Sequence, residues 1–372
     1  MNSKYILSGC LLSLIFSSCI QDEAPNVEAA IDGCAGAQIQ SATIDHLRKE
    51  VEVYVLDGTD ISQQELVFTL PEGASIQAEE TETNDRPPLY DFSQHASRHF
   101  VVTSEDGNTQ TEYLIRINKL ALPTSYSFEE LKTVTPYHVL YLTNASGIMQ
   151  WASGNPGYDL SGMALNETQY PTVQSPEGYS GKCAKLTTLS TGSFGKPLGM
   201  PIAAGNLFIG SFDTQNAVLA PLQATHMGFP FTKRPSRMTG WFKYKAGETF
   251  TDKAGNAVPG KKDRGDIYAA LYEAPSSDFS LDGNLFPDGT GIDEHIVLLA
   301  RIPEQEMTET NDWKKFDLEF TPQNGKTLNA EDLKNGKYKL AVVFSSSVMG
   351  AYFQGAVGSE LWIDEVEIIC EN

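Results

Sequence analysis

Short β-strand patterns separated by turn residues run along almost the whole chain, and they restrict it to an all-β fold. The segment EVEVYVL, from Glu50 to Leu56, alternates polar and apolar residues and ends at an Asp-Gly turn. Residues 99–117 read as a hairpin that turns near Gly107. No segment after residue 128 shows sustained helical periodicity, so helices cannot supply the main layers of this protein.

The length and the position of Pro123 predict two domains. The chain has 372 residues, and Pro123 interrupts the stretch LALPTSYS, which is the predicted junction. Residues 38–122 have the strand spacing of a small immunoglobulin-like sandwich. Residues 123–372 favour one larger antiparallel sandwich of the jelly-roll type. Its candidate strands are CAKLTTL, NLFIGSF, RMTGWFKYK, DIYAALYE, EHIVLLARI, WKKFDLEF, YKLAVVFSSS and SELWIDEVEII.

The amino terminus predicts export and lipid anchoring. Residues 1–18 combine Lys4 with an apolar run that is too short to span a bilayer, as in a secretory signal peptide. The small residues before Cys19 form a lipobox-like ending, so Cys19 is the predicted lipidation site and residues 19–37 a lipidated tether. Several acyl chains on one cysteine give a stable anchor, which predicts an outer membrane lipoprotein. The alternative is an ordinary secretory signal with incidental cysteines.

Charge and cysteine usage exclude some classes of function. The chain has 27 basic and 48 acidic residues, a net charge of −21, which repels phosphate backbones and disfavours nucleic-acid binding. Besides Cys10 and Cys19, three cysteines remain, without the spacing of a zinc site. Cys183 and Cys370 can pair in an oxidising compartment, but two buried free thiols are the favoured interpretation.

Aromatic residues near polar side chains are the candidate carbohydrate-binding residues. A sugar ring has an apolar face that stacks on an aromatic ring, while its hydroxyl groups need hydrogen-bonding partners. The loop from Trp151 supplies Asn155 and Tyr158 nearby, and the phrase PFTKRP supplies Lys233 and Arg234. Each of these aromatic residues can instead be a core residue.

The phrase GWFKYK predicts two opposite faces of one strand. Alternation places Trp241, Lys243 and Lys245 on one face and Phe242 and Tyr244 on the other, and one of the two faces must be core. Trp241 is therefore a further candidate carbohydrate-binding residue. A second tryptophan in a strand pattern, within SELWIDEVEII, is interpreted as a core residue or an edge plug.

Catalysis has no clear signature in the sequence. Glycoside hydrolysis needs two facing carboxylates, about 5–5.5 Å apart for retention or roughly 6.5–9.5 Å apart for inversion. Asp266, Glu273, Glu319 and Glu360 are conceivable members of such a pair, and nothing singles out two of them. The chain has no G-x-S-x-G motif and no recognisable histidine setting.

Several phrases resemble known families of Bacteroidetes surface lipoproteins. WASGNPGYD, AAGNLFIGSF, GFPFTKRP and GWFKYKAGE resemble the putative carbohydrate metabolism domain from about residue 128 to the carboxyl terminus. VVTSEDGNTQTEYLIRI resembles the last hairpin of the Ig-like modules that precede such domains. Gln21, Asp22 and Glu23 resemble a surface-export signal, although a plain acidic linker has the same composition.

The resemblance implies a fold, a class of substrate and a metal site. LWIDEVEI is similar to the last strand of jelly-roll sugar-binding modules, in which an acidic residue often helps to hold a structural calcium. The corresponding ligands here are Asp364 and Glu129, and further ligands would be carbonyl oxygens. The alternative for Asp364 is a solvated carboxylate or one that caps a loop.

Three functions are compatible with these observations. The first is a non-catalytic lipid-anchored protein that binds an oligo- or polysaccharide at the cell surface, together with partner proteins of a glycan-uptake system. The second is a glycoside hydrolase that uses a carboxylate pair on the jelly-roll. The third is an adhesive or fimbrial subunit. Family resemblance and the missing carboxylate signature favour the first.

Overall fold

A computed structural model describes residues 25–371, apart from residues 47, 135, 145, 146, 277, 278 and 288–290. The predicted signal peptide and Cys19 lie outside the described residues. Two all-β units follow one another along the chain, and the first has a hydrophobic core of its own, while the main core of the second also includes Tyr54 and Leu120 of the first. The all-β prediction, with a small sandwich followed by a larger one, is confirmed.

The first unit packs a five-stranded sheet against two short ribbons. Its strands are β1 (Gly33–Ala35), β2 (Ile39–Asp45), β3 (Glu50–Leu56), β4 (Gln64–Glu65), β5 (Val67–Thr69), β6 (Ser75–Ala78), β7 (Leu89–Tyr90), β8 (Ser97–Thr103) and β9 (Gln110–Leu120). The sheet order is β2-β3-β9-β8-β6, and β3 and β9 are parallel while their neighbours are antiparallel. The ribbons are β1-β5 and β4-β7.

The folded part of the first unit begins earlier than the predicted end of the tether at residue 37. Ile31 is fully buried in the core of this unit, and Ala29 packs beside it. β1 then pairs with β5, which satisfies the backbone of residues 33–35. In the sequence this segment of small residues resembles a linker, because a single buried isoleucine gives no periodic hydrophobic pattern.

The second unit contains the remaining strands and four short helices. The strands are β10 (Ser125–Tyr126), β11 (Leu131–Val134), β12 (Tyr137–Asn144), β13 (Gly147–Gln150), β14 (Thr172–Ser175), β15 (Cys183–Thr187), β16 (Leu189–Ser190), β17 (Ile202–Ala203), β18 (Asn206–Phe208), β19 (Gly210–Phe212), β20 (Thr225–Met227), β21 (Phe229–Pro230), β22 (Pro235–Lys245), β23 (Phe250–Thr251), β24 (Asp266–Glu273), β25 (Ile296–Arg301), β26 (Thr310–Glu319), β27 (Thr321–Pro322), β28 (Tyr338–Ser345), β29 (Gly355–Ala356) and β30 (Glu360–Cys370). The helices are α1 (Asn155–Asp159), α2 (Gly192–Gly195), α3 (Asn216–Leu219) and α4 (Ala330–Lys334). All eight candidate strands of this half of the chain are strands in the structure.

Two six-stranded sheets form the sandwich of the second unit. The front sheet has the order β14-β15-β30-β22-β26, with β10 also paired to β30. The back sheet has the order β18-β28-β24-β25-β27, with β21 also paired to β28. Phe242 and Ile363 of the front sheet meet Leu271 and Val342 of the back sheet in the core between them. Burial of these side chains, worth about 1.5–3 kcal/mol each, holds the sheets together.

The outer faces of the two sheets differ, and this difference decides where ligands can bind. Loops cover the outer face of the back sheet, where Phe208, Tyr268 and Tyr272 form a second core with Leu281 and Phe286. The outer face of the front sheet carries half-buried and exposed side chains along β22, β26 and β30. Of the two sheets of the second unit, it is therefore the front sheet whose described residues present a broad strand surface to solvent.

Candidate functional site

Three tryptophans project from the outer face of the front sheet. Trp241, Trp313 and Trp362 lie on β22, β26 and β30, and each is half-buried. Alternation along β22 directs Phe242 and Tyr244 into the core, so Trp241 faces outward. We define the aromatic–lysine face by its outward side chains, which are Tyr179, Lys185, Trp241, Lys243, Lys245, Trp313, Lys315, Glu360 and Trp362.

Lysines and tryptophans alternate in a row across four strands of this face. The Lys185 Nζ lies 4.9 Å from the ring centroid of Trp362, and the Lys243 Nζ lies 5.2 Å from the same ring. Lys243 is also 4.9 Å from the ring centroid of Trp313. Strand register causes this order, since Trp362 is the direct partner of Lys185 on one side and of Lys243 on the other. Each cation–π contact contributes about 0.5–1 kcal/mol at exposed positions.

Tyr179 extends the face from a loop between β14 and β15. Its ring stacks on Trp241 with centroids 3.9 Å apart and planes 10° apart, and it meets Trp313 edge-on at 6.4 Å. The Tyr179 side chain remains 47% exposed. It therefore covers one side of Trp241 and presents its own opposite face to solvent, as a stacking surface for a planar or ring-shaped ligand.

The two predicted calcium ligands hold the loop that carries Tyr179. Glu129 accepts a hydrogen bond from the backbone N–H of Lys182 at 2.7 Å. Asp364 accepts hydrogen bonds from the backbone N–H groups of Ser180 at 3.0 Å and Glu365 at 2.8 Å. Burial raises the pKa of Asp364 to about 6, although these backbone donors favour its charged form. Both carboxylates thus meet one loop, and their oxygen atoms are of the type that calcium prefers.

A different group of carboxylate and histidine side chains lies on the first unit. Glu79, His99 and Glu112 each place one ligand atom within 4.8 Å of the others, and all three are exposed. The site is empty. Exposed acidic groups of this kind are common without a bound ion, so the cluster carries no functional assignment.

Three of the predicted sugar-binding residues are buried in structural roles. Trp151 packs in the main core, with its ring 5.2 Å from Tyr126 and 5.5 Å from Phe128. The side chain of Asn155 accepts from the backbone N–H of Thr172 and donates to its carbonyl. Tyr158 donates its hydroxyl hydrogen to Ser190 O. Hydrogen-bonding residues in a Gly-rich loop look available in the sequence, but here tertiary contacts occupy them.

The predicted basic pair Lys233 and Arg234 is exposed but lies at a distance from the aromatic–lysine face. Arg234 forms an ion pair with Glu371, with 3.2 Å between Nε and Oε2. Both residues precede β22, and at about 3.3 Å per strand residue Trp241 is roughly 20 Å further along that strand. Trp241 is thus the one predicted sugar-binding residue on the face, and the structure does not unite it with the others.

Trp362, Trp313 and Tyr179 complete the face, and sequence reasoning did not assign them to it. Trp362 was predicted to be a core residue or an edge plug, and the structure contradicts this prediction because its neighbours Leu361 and Ile363 fill the core instead. The alternation within ELWID could have indicated an outward Trp362. The loop position of Tyr179 gives no such signal.

A second concave region lies on the loop-covered side of the back sheet. It is a cavity of about 200 Å³, lined mainly by apolar residues that include Tyr158, Phe194, Phe212 and Tyr352. Asp266 lies in its lining and receives two hydrogen bonds from Arg301 Nε at 3.1 Å and one from Nη2 at 2.7 Å. Apart from this carboxylate, the cavity offers hydroxyl, amide and aromatic groups.

The four candidate catalytic carboxylates do not converge. Asp266 and Glu273 occupy opposite ends of β24, roughly 23 Å apart along the strand. Glu319 and Glu360 belong to the other sheet, and Glu360 forms an ion pair with Lys185 at 2.7 Å. No two of these four residues therefore form a facing pair of the kind that glycoside hydrolysis needs.

Cys34, Cys183 and Cys370 are all free thiols, so Cys183 and Cys370 do not pair. Burial raises the pKa of Cys183 to about 12, which makes it unreactive at neutral pH. Among the described residues, no helix has the length and apolar character needed to cross a bilayer.

Both units match known protein families. Residues 127–369 match the putative carbohydrate metabolism domain, and residues 34–117 match the N-terminal domain of the SGBP family of surface glycan-binding proteins. No curated protein matches the chain.

Two solved structures show the same architecture. The crystal structure of a putative glycoside hydrolase from Bacteroides thetaiotaomicron is 40% identical, covers 95% of this chain and 99% of its own, and has a TM-score of 0.81. A second putative glycoside hydrolase, from Bacteroides vulgatus, is 40% identical, covers 67% of this chain and 98% of its own, and has a TM-score of 0.62.

Proposed function

Because the chain belongs to the putative carbohydrate metabolism domain family, we propose that it is a lipid-anchored cell-surface protein that binds a glycan without cleaving it. One observation carries this proposal. Three of the four tryptophans in the chain project from the solvent-facing side of a single sheet, with Tyr179 beside them. Large aromatic side chains are normally buried, so a cluster of them on an open strand surface suggests a binding surface.

The chemistry of the face suits a polysaccharide. Tyr179 and Trp313 offer ring surfaces for the apolar faces of sugars, while the lysine ammonium groups offer hydrogen-bond donors to hydroxyl oxygens. The face extends across β15, β30, β22 and β26, a width of roughly 14 Å at about 4.8 Å between strands. A flat surface of this width suits an internal stretch of a long chain.

The predicted location supports the same proposal. The first unit matches the N-terminal domain of surface glycan-binding proteins, which suggests a role outside the cell. Cys19 supplies the proposed anchor, and the acidic residues Asp22 and Glu23 supply the proposed export signal. In this arrangement the first unit separates the glycan-binding unit from the membrane.

Glycan arrays test the proposal directly. We expect the chain from residue 20 onward to bind at least one plant, host or microbial glycan, with no release of reducing ends in parallel assays. Tyr179→Ala and Trp313→Ala should each weaken binding about tenfold, since one lost aromatic stacking contact is worth about 0.5–1.5 kcal/mol and lost contact area adds to it.

A matched control separates this face from the cavity. Phe194 is 41% exposed and lines the cavity on the other side of the sandwich. Phe194→Ala should leave glycan affinity unchanged. Loss of binding in this variant, with full binding in Tyr179→Ala, would assign the glycan to the cavity instead. Absence of binding to every arrayed glycan would refute the proposed function.

A glycoside hydrolase is the second candidate, because a buried carboxylate, Asp266, lines the cavity and the relatives are described as putative glycoside hydrolases. Both carboxylate oxygens of Asp266 accept hydrogen bonds from Arg301, and no second carboxylate is among the described residues that line the cavity, so the facing pair that hydrolysis needs is missing there. Reducing ends released by the native protein, and abolished in Asp266→Asn, would establish the enzymatic function.

A structural calcium ion is proposed at Glu129 and Asp364. The ion would add a third interaction to the loop that these carboxylates already hold, and it would fix Tyr179 above Trp241. We expect calcium to raise the melting temperature relative to EDTA, and Glu129→Gln to remove this effect. An equal melting temperature in calcium and EDTA would exclude the site.

A further inference from the structure

We propose that the aromatic–lysine face selects anionic polysaccharides, with carboxylate or sulfate groups on the sugar, over neutral ones. The inference rests on the proposed function, since it names the class of glycan that the same face binds. The observation behind it is the number of lysines that lack a carboxylate partner. Four lysines share the face with one solvent-accessible acidic residue, Glu360, and with the buried Asp364, which is the register partner of Trp241, so lysines outnumber carboxylates here although the whole chain carries a net charge of −21.

The ion pairs of the face leave most of its positive charge available. Glu360 forms an ion pair with Lys185 and lies opposite Lys245 in the register of β30 and β22. It therefore offsets positive charge at this end of the face. Among the described residues, no carboxylate lies within ion-pair distance of Lys243 or Lys315. Lys315 is exposed, and Lys243 contacts aromatic rings.

The positive region is bounded by acidic residues and does not extend over the whole sheet. Further along β26 the outward residues are Asp317 and Glu319, and Asp317 forms an ion pair with Arg237 at 2.6 Å. On the loop that carries Tyr179, the exposed Glu177 and Lys182 offset one another. A polyanion would therefore find its favourable contacts within the half of the sheet that also carries the tryptophans.

The positions of the lysines over the tryptophans favour an anionic ligand over a neutral one. Lys185 and Lys243 both lie near the ring of Trp362, so a neutral sugar must displace an ammonium group before it can stack there. A carboxylate or sulfate can instead accept hydrogen bonds from the ammonium groups while these groups keep their ring contacts. The ligand then adds an ion pair without losing a cation–π contact.

The spacing of the lysines and the screening of distant charges allow the face to attract an anionic ligand, although the protein as a whole is acidic. Lys185 and Lys243 lie on strands separated by β30, roughly 10 Å apart, so one chain can contact both. At physiological ionic strength the Debye length is about 8 Å, so acidic residues on distant surfaces are largely screened from a ligand bound here. We therefore expect affinity for an anionic polysaccharide to fall as salt concentration rises.

Matched polysaccharide pairs test the inference. The probes are polygalacturonate against its fully methyl-esterified form, and dextran sulfate against dextran, which separate carboxylate from sulfate recognition. We expect at least one anionic member to bind tenfold or more tightly than its neutral partner. Lys243→Gln and Lys315→Gln should each reduce this affinity about fivefold and weaken its salt dependence.

Lys253→Gln is the control for net charge. Lys253 is exposed and lies outside the face, so this variant changes the charge of the protein by the same amount. Equal losses in Lys253→Gln and Lys243→Gln would overturn the inference, as would equal affinity for the anionic and neutral members of both pairs. In those cases the proposed glycan binding still stands. Failure to bind any polysaccharide or arrayed glycan would overturn both, and melting temperatures would verify that each variant is folded.

Discussion

The pKa values of two buried aspartates are shifted in opposite directions by their surroundings. For both, burial alone would raise the pKa. At Asp85 the hydrogen bonds from Arg98 and from backbone N–H groups outweigh burial and lower the pKa to about 2. At Asp263 burial prevails, and the pKa is raised even though Ser347 and Ser359 donate to its carboxylate. A full positive charge at hydrogen-bond distance is thus what keeps a buried carboxylate charged here.

Asp85→Asn should destabilise the first unit by roughly 3–5 kcal/mol, because it leaves the Arg98 guanidinium buried without its counter-charge. Only 5% of the Arg98 side chain and 3% of the Asp85 side chain are exposed. Urea denaturation gives the difference in the free energy of unfolding. Asp32→Asn, an exposed carboxylate in the same unit, should change it by less than about 0.5 kcal/mol. Similar effects of the two substitutions would contradict this reading of the ion pair.

The same aspartate should make the first unit sensitive to acid. Its folded pKa lies below the unfolded value of 3.8, so its contribution is complete above pH 4 and is lost as pH falls towards 2. The stability difference between the native protein and Asp85→Asn should therefore shrink between pH 5 and pH 2. Urea titrations across this range measure it, and a constant difference would show that the ion pair does not lower the pKa.

At the scale of elements, β22 is the strand on which the face depends. It is the central partner of both β26 and β30, and its register changes between Thr239 and Trp241. Gly240 lies at that irregularity, and a Cβ atom there would be 2.6 Å from the ring of Phe316 and 3.0 Å from Val366. Because glycine has no side chain, Phe316 and Val366 can pack against the backbone at this position. Beyond it, Trp241 and Lys243 face outward while Phe242 and Tyr244 face the core.

Gly240→Ala should destabilise the second unit by about 1–3 kcal/mol, because the added methyl group must displace Phe316 in a packed core. Chemical denaturation monitored by tryptophan fluorescence measures the change. Thr239→Ala is the control, because this position of the same strand is half-buried and its side chain makes no hydrogen bond among the described residues. An unchanged midpoint for Gly240→Ala would show that the core accommodates the methyl group.

The positions of the strands could be predicted from the sequence, whereas the set of residues that forms the aromatic–lysine face could not. Alternation in GWFKYK gave the two faces of β22 but left open which was core. The structure decides this through pairing, since Lys243 lies between Trp362 and Trp313 only because three separate strands adopt one register. Register between strands more than fifty residues apart depends on packing of the whole sandwich, which local patterns do not contain.

At the scale of the whole molecule, the two units share a core. Tyr54 belongs to β3 of the first unit but is buried in the core cluster of the second, with its ring 6.4 Å from Phe229 in an edge-to-face contact. Its hydroxyl oxygen accepts a hydrogen bond from the Gln150 N–H at 3.4 Å. Leu120, which ends β9, and Leu122, which follows that strand, join the same cluster. The sequence predicted Pro123 as a junction, but not that an aromatic ring crosses it.

Tyr54→Ala should uncouple the two units. Truncation of a buried aromatic residue costs about 3–5 kcal/mol, and here the loss falls on the contact between them. Scanning calorimetry should show one transition for the native protein and two for Tyr54→Ala. Tyr54→Phe, which loses only the long hydrogen bond, should keep the single transition. Two transitions in the native protein would contradict a shared core.

The parallel pairing of β3 with β9 has a mechanical consequence for an anchored protein. If the membrane holds the amino terminus, a pull on a bound polymer reaches the first unit through the carboxyl end of β9. That strand lies between β3 and β8, with ladders on both sides. Tension along β9 would act as shear on its hydrogen bonds to β3 and to β8, so many of these bonds would have to break at the same time. We would then expect the first unit to stay folded when fluid flow pulls on a bound polymer. Its unfolding force should exceed that of a sheet whose hydrogen bonds break one after another from one edge.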